Sequence, residues 1–133
     1  MILIVDDDYD IAFLIKISLE KVGLFASFFT DPLMALDEFK SNSIDYDLVI
    51  SDIRMPIMNG YEFIHELKTI NHSTKVLLIS TFEYSDHYFA KAFSYLDIDG
   101  FMEKPISLHR LRTTVLTILN NDKVTQYQTS SVT

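Results

Sequence analysis

Short apolar runs that each stop at a polar residue, separated by longer stretches of helical period, leave this chain few folds to choose from. Met1-Ile2-Leu3-Ile4-Val5 ends at Asp6 and Asp7, and Asp47-Leu48-Val49-Ile50-Ser51 ends at Asp52. Val76-Leu77-Leu78-Ile79 ends at Ser80, and Gly100-Phe101-Met102-Glu103 ends at Lys104. Near-continuous apolar runs of this length mark strands buried on both faces, as in a parallel sheet covered by helices. Parallel strands open their carboxyl ends onto one edge, so the acids, the hydroxyl and the ammonium converge on one crevice. Carboxylates gathered without a cation raise one another's pKa, and the grouping makes chemical sense around a hard divalent metal.

Strands and helices alternate along the chain. Strand one covers 2–6. A helix follows over about 9–22, with Ile11, Leu14, Ser18 or Leu19, and Val22 on its inward stripe, Asp8 as its cap and Gly23 as its end. Leu24 to Phe29 is the second strand. Asp31 before Pro32 opens the next helix, carried by Leu33, Leu36 and Phe39. Residues 47–52 form the third strand, 55–60 a turn-rich loop, and Tyr61 to about Ile70 a helix. A strand over 75–80, a helix near 84–95, a strand at about 99–103 and a helix from Ser107, its N-cap, to Leu119 complete the series. Residues 120–133 are polar without apolar period, either a flexible tail or the start of a linker.

A length of 133 residues suits one domain with a short extension. The net charge of -8 argues against nucleic-acid binding, which needs a basic surface. Cysteine is absent, which excludes disulfides, Cys-based zinc sites and thiol catalysis. The apolar start stops at aspartates and has no basic leader, and no run is long enough to span a bilayer. A cytoplasmic protein without membrane contact is expected. His65, His72, His87 and His109 show no metal-ligand spacing and read as surface residues.

From residue 1 to about 119 the chain resembles the receiver domain of two-component response regulators. The resemblance rests on Ile4-Val5-Asp6-Asp7-Asp8, Asp47 through Pro56, Asn59-Gly60, Leu78-Ile79-Ser80 and Gly100-Phe101-Met102-Glu103-Lys104-Pro105, in that order. It implies a flavodoxin-like, doubly wound, five-stranded parallel sheet of order 2-1-3-4-5 with five helices in an α/β/α sandwich. Asp52 would be the phosphoacceptor, taking a phosphoryl group from a histidine kinase or phosphotransfer protein as an acyl phosphate. Asp6, Asp7, Asp52 and the backbone carbonyl of Arg54 would hold Mg²⁺. Ser80 and Lys104 would bind phosphoryl oxygens, and the Lys104–Pro105 bond would be cis. Ser80 and Phe101 would act as the switch pair, and Arg54, Thr81 and Phe82 would tune the lifetime of the modified state. The implied protein is a phosphoacceptor that assists its own phosphorylation and dephosphorylation, rather than an enzyme acting on other molecules. Its output, to a second copy or an output protein, would pass through the face made by the helix near 84–95, the fifth strand and the last helix. That face is rich in aromatics (Tyr84, Tyr88, Phe89, Phe93 and Tyr95), with Ile106 and Leu108 nearby. Phe13 and Ile17 on the first helix are candidates for kinase docking.

The sequence departs from the family pattern in two places. Thr81 stands where a very small residue is usual, and Tyr95-Leu96-Asp97-Ile98-Asp99 replaces Ala-Gly-Ala before the fifth strand. A slightly long interval from Ser80 to Lys104 suggests a displaced helix or exit loop on the output face. Two rivals remain: a receiver-like interaction module that is never phosphorylated, and an aspartate-nucleophile phosphohydrolase. The hydrolase needs a second acid two positions after the nucleophile, where this chain has Arg54.

Overall fold

The computed structural model describes residues 1–81 and 95–120. In chain order it contains β1 (Ile2–Val5), α1 (Tyr9–Glu20), β2 (Ala26–Phe29), α2 (Pro32–Asn42), a 3₁₀ turn (Ser43–Asp45), β3 (Leu48–Asp52), α3 (Gly60–Ile70), β4 (Lys75–Ser80), β5 (Gly100–Glu103) and α4 (Leu108–Leu119). All neighbouring strands pair in parallel, in the order β2-β1-β3-β4-β5. This is the sheet and winding expected from the sequence. Four α-helices lie among the described residues. The helix expected near 84–95 falls outside them, as do residues 121–133.

Alternating side chains along each strand feed two apolar layers. Leu3, Val5 and Val49 enter one layer with Ala35, Leu36 and Phe39 of α2 and Phe63, Ile64 and Leu67 of α3. Ile2, Ile4, Leu48 and Ile50 enter the other with Ala12, Ile15 and Leu19 of α1 and Leu111, Val115 and Ile118 of α4. The sheet is thus covered on both faces, and its carboxyl edge is left to the loops.

Helix starts follow the side-chain chemistry. Asp8 accepts from the N–H groups of Asp10 and Ile11, Asp31 from Leu33, and Ser107 from Arg110. On α3, Asn59 accepts from the Glu62 N–H while the Glu62 carboxylate accepts from the Asn59 N–H, a reciprocal capping box. After α1 the chain turns at Gly23, whose φ of 82° favours glycine.

The inward stripe of α1 differs from expectation. Leu14 and Val22 are 51% and 45% exposed, whereas Ala12, Ile15, Ser18 and Leu19 are buried. Leu33 of α2 is likewise exposed, and Pro32, Ala35, Leu36 and Phe39 face the core. In both helices an alanine holds the contact line, because its small side chain lets the helix axis approach the sheet. Ser18 is accommodated by a hydrogen bond from Arg112 at 2.8 Å. The second strand also starts later than expected, at Ala26, leaving Phe25 72% exposed.

Between β3 and α3 the backbone makes a tight γ-turn. Met58 N–H donates to Pro56 O at 2.8 Å around Ile57, whose φ is 75°. A β-branched residue is strained in that region, and Ile57 is 79% exposed, so packing does not offset the cost. Ile57→Gly is expected to raise stability by about 1 kcal/mol, the relieved strain outweighing the added freedom of the unfolded chain. Urea unfolding would check this, and a loss of stability would count against a strained turn.

Candidate functional site

The register Val5↔Ser51 places the residues that follow β1 beside the end of β3. Asp6 and Asp52 therefore leave adjacent strand ends, and they are only 2% and 6% exposed. Asp7 lies beside them and is exposed. Among the described residues these three acids form the one cluster in which carboxylate oxygens lie within 4.8 Å of one another.

Lys104 reaches the same point from β5. Its N–H donates to Ser80 O at 2.9 Å, continuing the β4–β5 pairing beyond Ser80↔Glu103, and the Lys104–Pro105 peptide is cis. Its Nζ stands 3.0 Å from Asp6 Oδ2 and 3.4 Å from Asp52 Oδ2. The opposite oxygens are held by backbone. Asp6 Oδ1 accepts from the Asp8 N–H, and Asp52 Oδ1 accepts from the Ile53 N–H, each at 2.9 Å. Each buried acid thus has one oxygen tied to the main chain and one turned toward the ammonium.

Charge is unbalanced here. Burial pushes the Asp52 pKa up to about 6, the charge of Asp6 adds to this, and Lys104 and the Ile53 N–H oppose it. Burial also raises Asp6, against the Asp8 N–H and Lys104. Burial alone would lower Lys104, but its hydrogen bond and attraction to Asp6, and then Asp52, outweigh it and raise the net value. Three clustered carboxylates, two of them paired with Lys104, present hard oxygen donors, and that donor set fits Mg²⁺, which takes one or two carboxylates and keeps waters.

Ser80 closes β4 and is 1% exposed. Its neighbour Ile79 pairs with Asp52, and Ser80 itself pairs with Glu103, so the hydroxyl sits between the acid and the lysine strands. Among the described residues Ser80 Oγ has no hydrogen-bond partner. Such a buried hydroxyl costs about 1–3 kcal/mol until an acceptor arrives.

The sequence-derived candidates divide accordingly. Asp6, Asp7, Asp52 and Lys104 come together, with Ser80 at the adjacent strand end. Arg54 is exposed just beyond β3, and Thr81 is exposed just beyond β4. Phe101 is 2% exposed within the layer under α2 and α3. Phe82, Tyr84, Tyr88, Phe89, Phe93 and His87 lie outside the described residues. Tyr95 is exposed, whereas Ile106 and Leu108 are half-buried against the layer under α1 and α4. Phe13 is 42% exposed and packs with Tyr9 and Phe28 rather than standing alone. His65, His72 and His109 are exposed. Sequence reasoning assigned no part to Ser51 or to the Ile53 N–H, and gave Gly60 no role beyond its place in the motif. The Asn-x-x-Glu spacing at 59–62 marks where α3 begins.

The profile of the response regulator receiver domain matches residues 2–116. The chain belongs to that family. This receiver domain is 29% identical over 125 residues to the transcriptional regulatory protein ZraR of Klebsiella oxytoca, covering 94% of the chain and 27% of ZraR. It is 35% identical over 80 residues to the autoinducer 2 sensor kinase/phosphatase LuxQ of Vibrio cholerae, covering 60% of the chain and 9% of LuxQ. The chain therefore spans a small fraction of these relatives' length. Two-component response regulator 24 of Arabidopsis thaliana is 28% identical, with 82% of this chain and 76% of that protein covered. Among solved structures, a response regulator receiver domain protein from Clostridium thermocellum superposes with a TM-score of 0.82 at 25% identity, over 90% of this chain and 94% of that one. The receiver domain of NtrX from Brucella abortus gives 0.81 at 25% identity, over 92% and 100%. Among the described residues, no helix is long and apolar enough to cross a membrane.

Proposed function

We propose that this receiver domain takes a phosphoryl group onto Asp52 from the phosphohistidine of a histidine kinase or phosphotransfer protein, in a Mg²⁺-dependent step, and later loses it to water. The observation that carries the reading is the meeting of three carboxylates and Lys104 Nζ at one sheet edge, with a buried Ser80 hydroxyl beside them that has no partner among the described residues. A carboxylate oxygen of Asp52 attacks phosphorus as the phosphorus–nitrogen bond breaks, and the imidazole leaves with the electron pair. Lys104 neutralises charge on one phosphoryl oxygen and Ser80 Oγ donates to another, both in a site dry enough to strengthen them. Mg²⁺ held by Asp6, Asp7, Asp52 and the Arg54 carbonyl would supply a positive centre for phosphoryl charge.

The switch follows from Ser80. An acceptor on Asp52 offers its hydroxyl a partner that it lacks among the described residues, so the two states differ in free energy at this residue. Movement of Ser80 would free space for Phe101 and alter the face around β5 and α4, where an output protein or second copy would bind. Arg54 and Thr81, exposed just beyond β3 and β4, would set the lifetime of the modified state together with Phe82, which lies outside the described residues. On this reading the receiver unit is 1–119, residues 120–133 serve as a tail or the start of a linker, and the protein works in the cytoplasm.

Incubation with Mg²⁺ and a histidine kinase, or acetyl phosphate, followed by intact mass measurement is expected to add one phosphoryl group. Asp52→Asn should abolish the addition and chelation of Mg²⁺ should slow it on the order of 100-fold or more. Unmodified protein under both donors would favour a phosphorylation-independent module. Steady turnover of free phosphate esters would favour a hydrolase.

A further inference from the structure

Gly60 opens α3 and is buried, and its N–H donates to Ile53 O at 2.7 Å. A Cβ at this position would collide with the Asp52 carbonyl oxygen and stand 2.7 Å from Ile53 Cα. The first turn of α3 therefore bears directly on the Asp52–Ile53 peptide. At the carbonyl end of that peptide, the fully buried Ser51 hydroxyl donates to Asp52 O at 2.8 Å. At its other end, the Ile53 N–H donates to Asp52 Oδ1 at 2.9 Å. A peptide unit is planar, so its C=O and N–H turn together.

We infer that Gly60, assisted by Ser51, is a positioning residue for Asp52: a position without a side chain lets α3 fix the Asp52–Ile53 plane, and that plane aims the carboxylate through the Ile53 N–H. Any side chain at position 60 pushes the carbonyl, rotates the N–H and turns Oδ2 relative to Lys104. The inference deepens the phosphoacceptor reading and rests on it for its kinetic consequence.

The test compares Gly60→Ala, Ser51→Ala and Gly23→Ala with the parent chain. Three quantities are read: the Ile53 amide proton resonance, Mg²⁺ affinity, and the rate of Asp52 phosphorylation by acetyl phosphate or phosphoramidate. Gly60→Ala is expected to move the Ile53 resonance upfield and to weaken Mg²⁺ binding about tenfold. Phosphorylation should slow on the order of 10–100-fold. Ser51→Ala should change all three in the same direction, with rates down about threefold. Gly23→Ala introduces strain at a φ of 82° with nothing within 4 Å of the new Cβ. It should lower stability and leave all three readouts at the parent values, separating aim from mere loosening. A folded Gly60→Ala protein with the parent resonance and Mg²⁺ affinity overturns the inference. If Gly60→Ala does not fold, parent values in Ser51→Ala overturn it. If the parent itself is never modified on Asp52 while the amide and Mg²⁺ effects appear, the phosphoacceptor reading fails and the positioning role stands.

Discussion

Lys104→Met is expected to cost this receiver domain about 3 kcal/mol of stability at pH 7 without Mg²⁺, and far less at pH 4. The ammonium hydrogen-bonds Asp6 and lies 3.4 Å from Asp52, with a side chain only 15% exposed. Methionine keeps much of the volume but leaves two buried carboxylates facing each other. Their pKa values, already raised by burial, rise further once the opposing charge is gone. A group whose folded pKa is raised contributes full stability below its unfolded pKa and loses it as pH rises through the folded value. The defect should therefore open between about pH 4 and pH 7, and millimolar Mg²⁺ should repair part of it. Urea unfolding at both pH values, with and without chelator, measures this. Equal losses at pH 4 and pH 7 would mean that Lys104 acts by packing alone. In the presence of a phosphodonor, the same variant should be modified on the order of 100-fold more slowly.

Asp52→Asn should be more stable than the parent at pH 7 in chelator, by up to about 3 kcal/mol, and equal to it near pH 4. The reason is the parent's own slope. Asp52 titrates at about 6 in the fold against 3.8 as its ordinary value. Between those values the folded state binds the proton more tightly, so stability falls with rising pH. Raised Lys104 does not cancel this, because its contribution is complete throughout that window. Removing the carboxylate removes its share of the slope, and Asp6, raised in the same direction, continues to contribute to it. The parent should also gain more stability from Mg²⁺ than the variant does. A parallel pH dependence in the two proteins would show that Asp52 carries no such penalty.

The convergence of Asp6, Asp52 and Lys104 could be anticipated from strand ends alone, because parallel strands share a carboxyl edge and each acid directly follows an apolar run. The caps at Asp8, Asp31 and Ser107 were equally readable, since the side chain that satisfies an orphan N–H is local in sequence. The rotation of α1 was not. The set Ile11, Leu14, Ser18 or Leu19, and Val22 and the set Ala12, Ile15, Ser18 and Leu19 both recur at helical spacing, and the second is the one buried. Ala12 faces the sheet because close approach of the helix there buries Ile15 and Leu19 completely or nearly so. A period detects a face, but a helix with apolar residues on two faces is oriented by fit.

Strand pattern and the grouping of charged ends follow from short-range rules, in which apolar runs and chain direction are written residue by residue, whereas the strand order follows only from the resemblance to the receiver family. The burial of the Ser80 hydroxyl, the buried Phe101 and the collision that forbids a Cβ at Gly60 arise only when elements far apart in the chain are pressed together. No local period encodes a distance of a few ångströms between a helix start and the peptide of a neighbouring strand. Close packing sets that distance, and with it the direction in which Asp52 points.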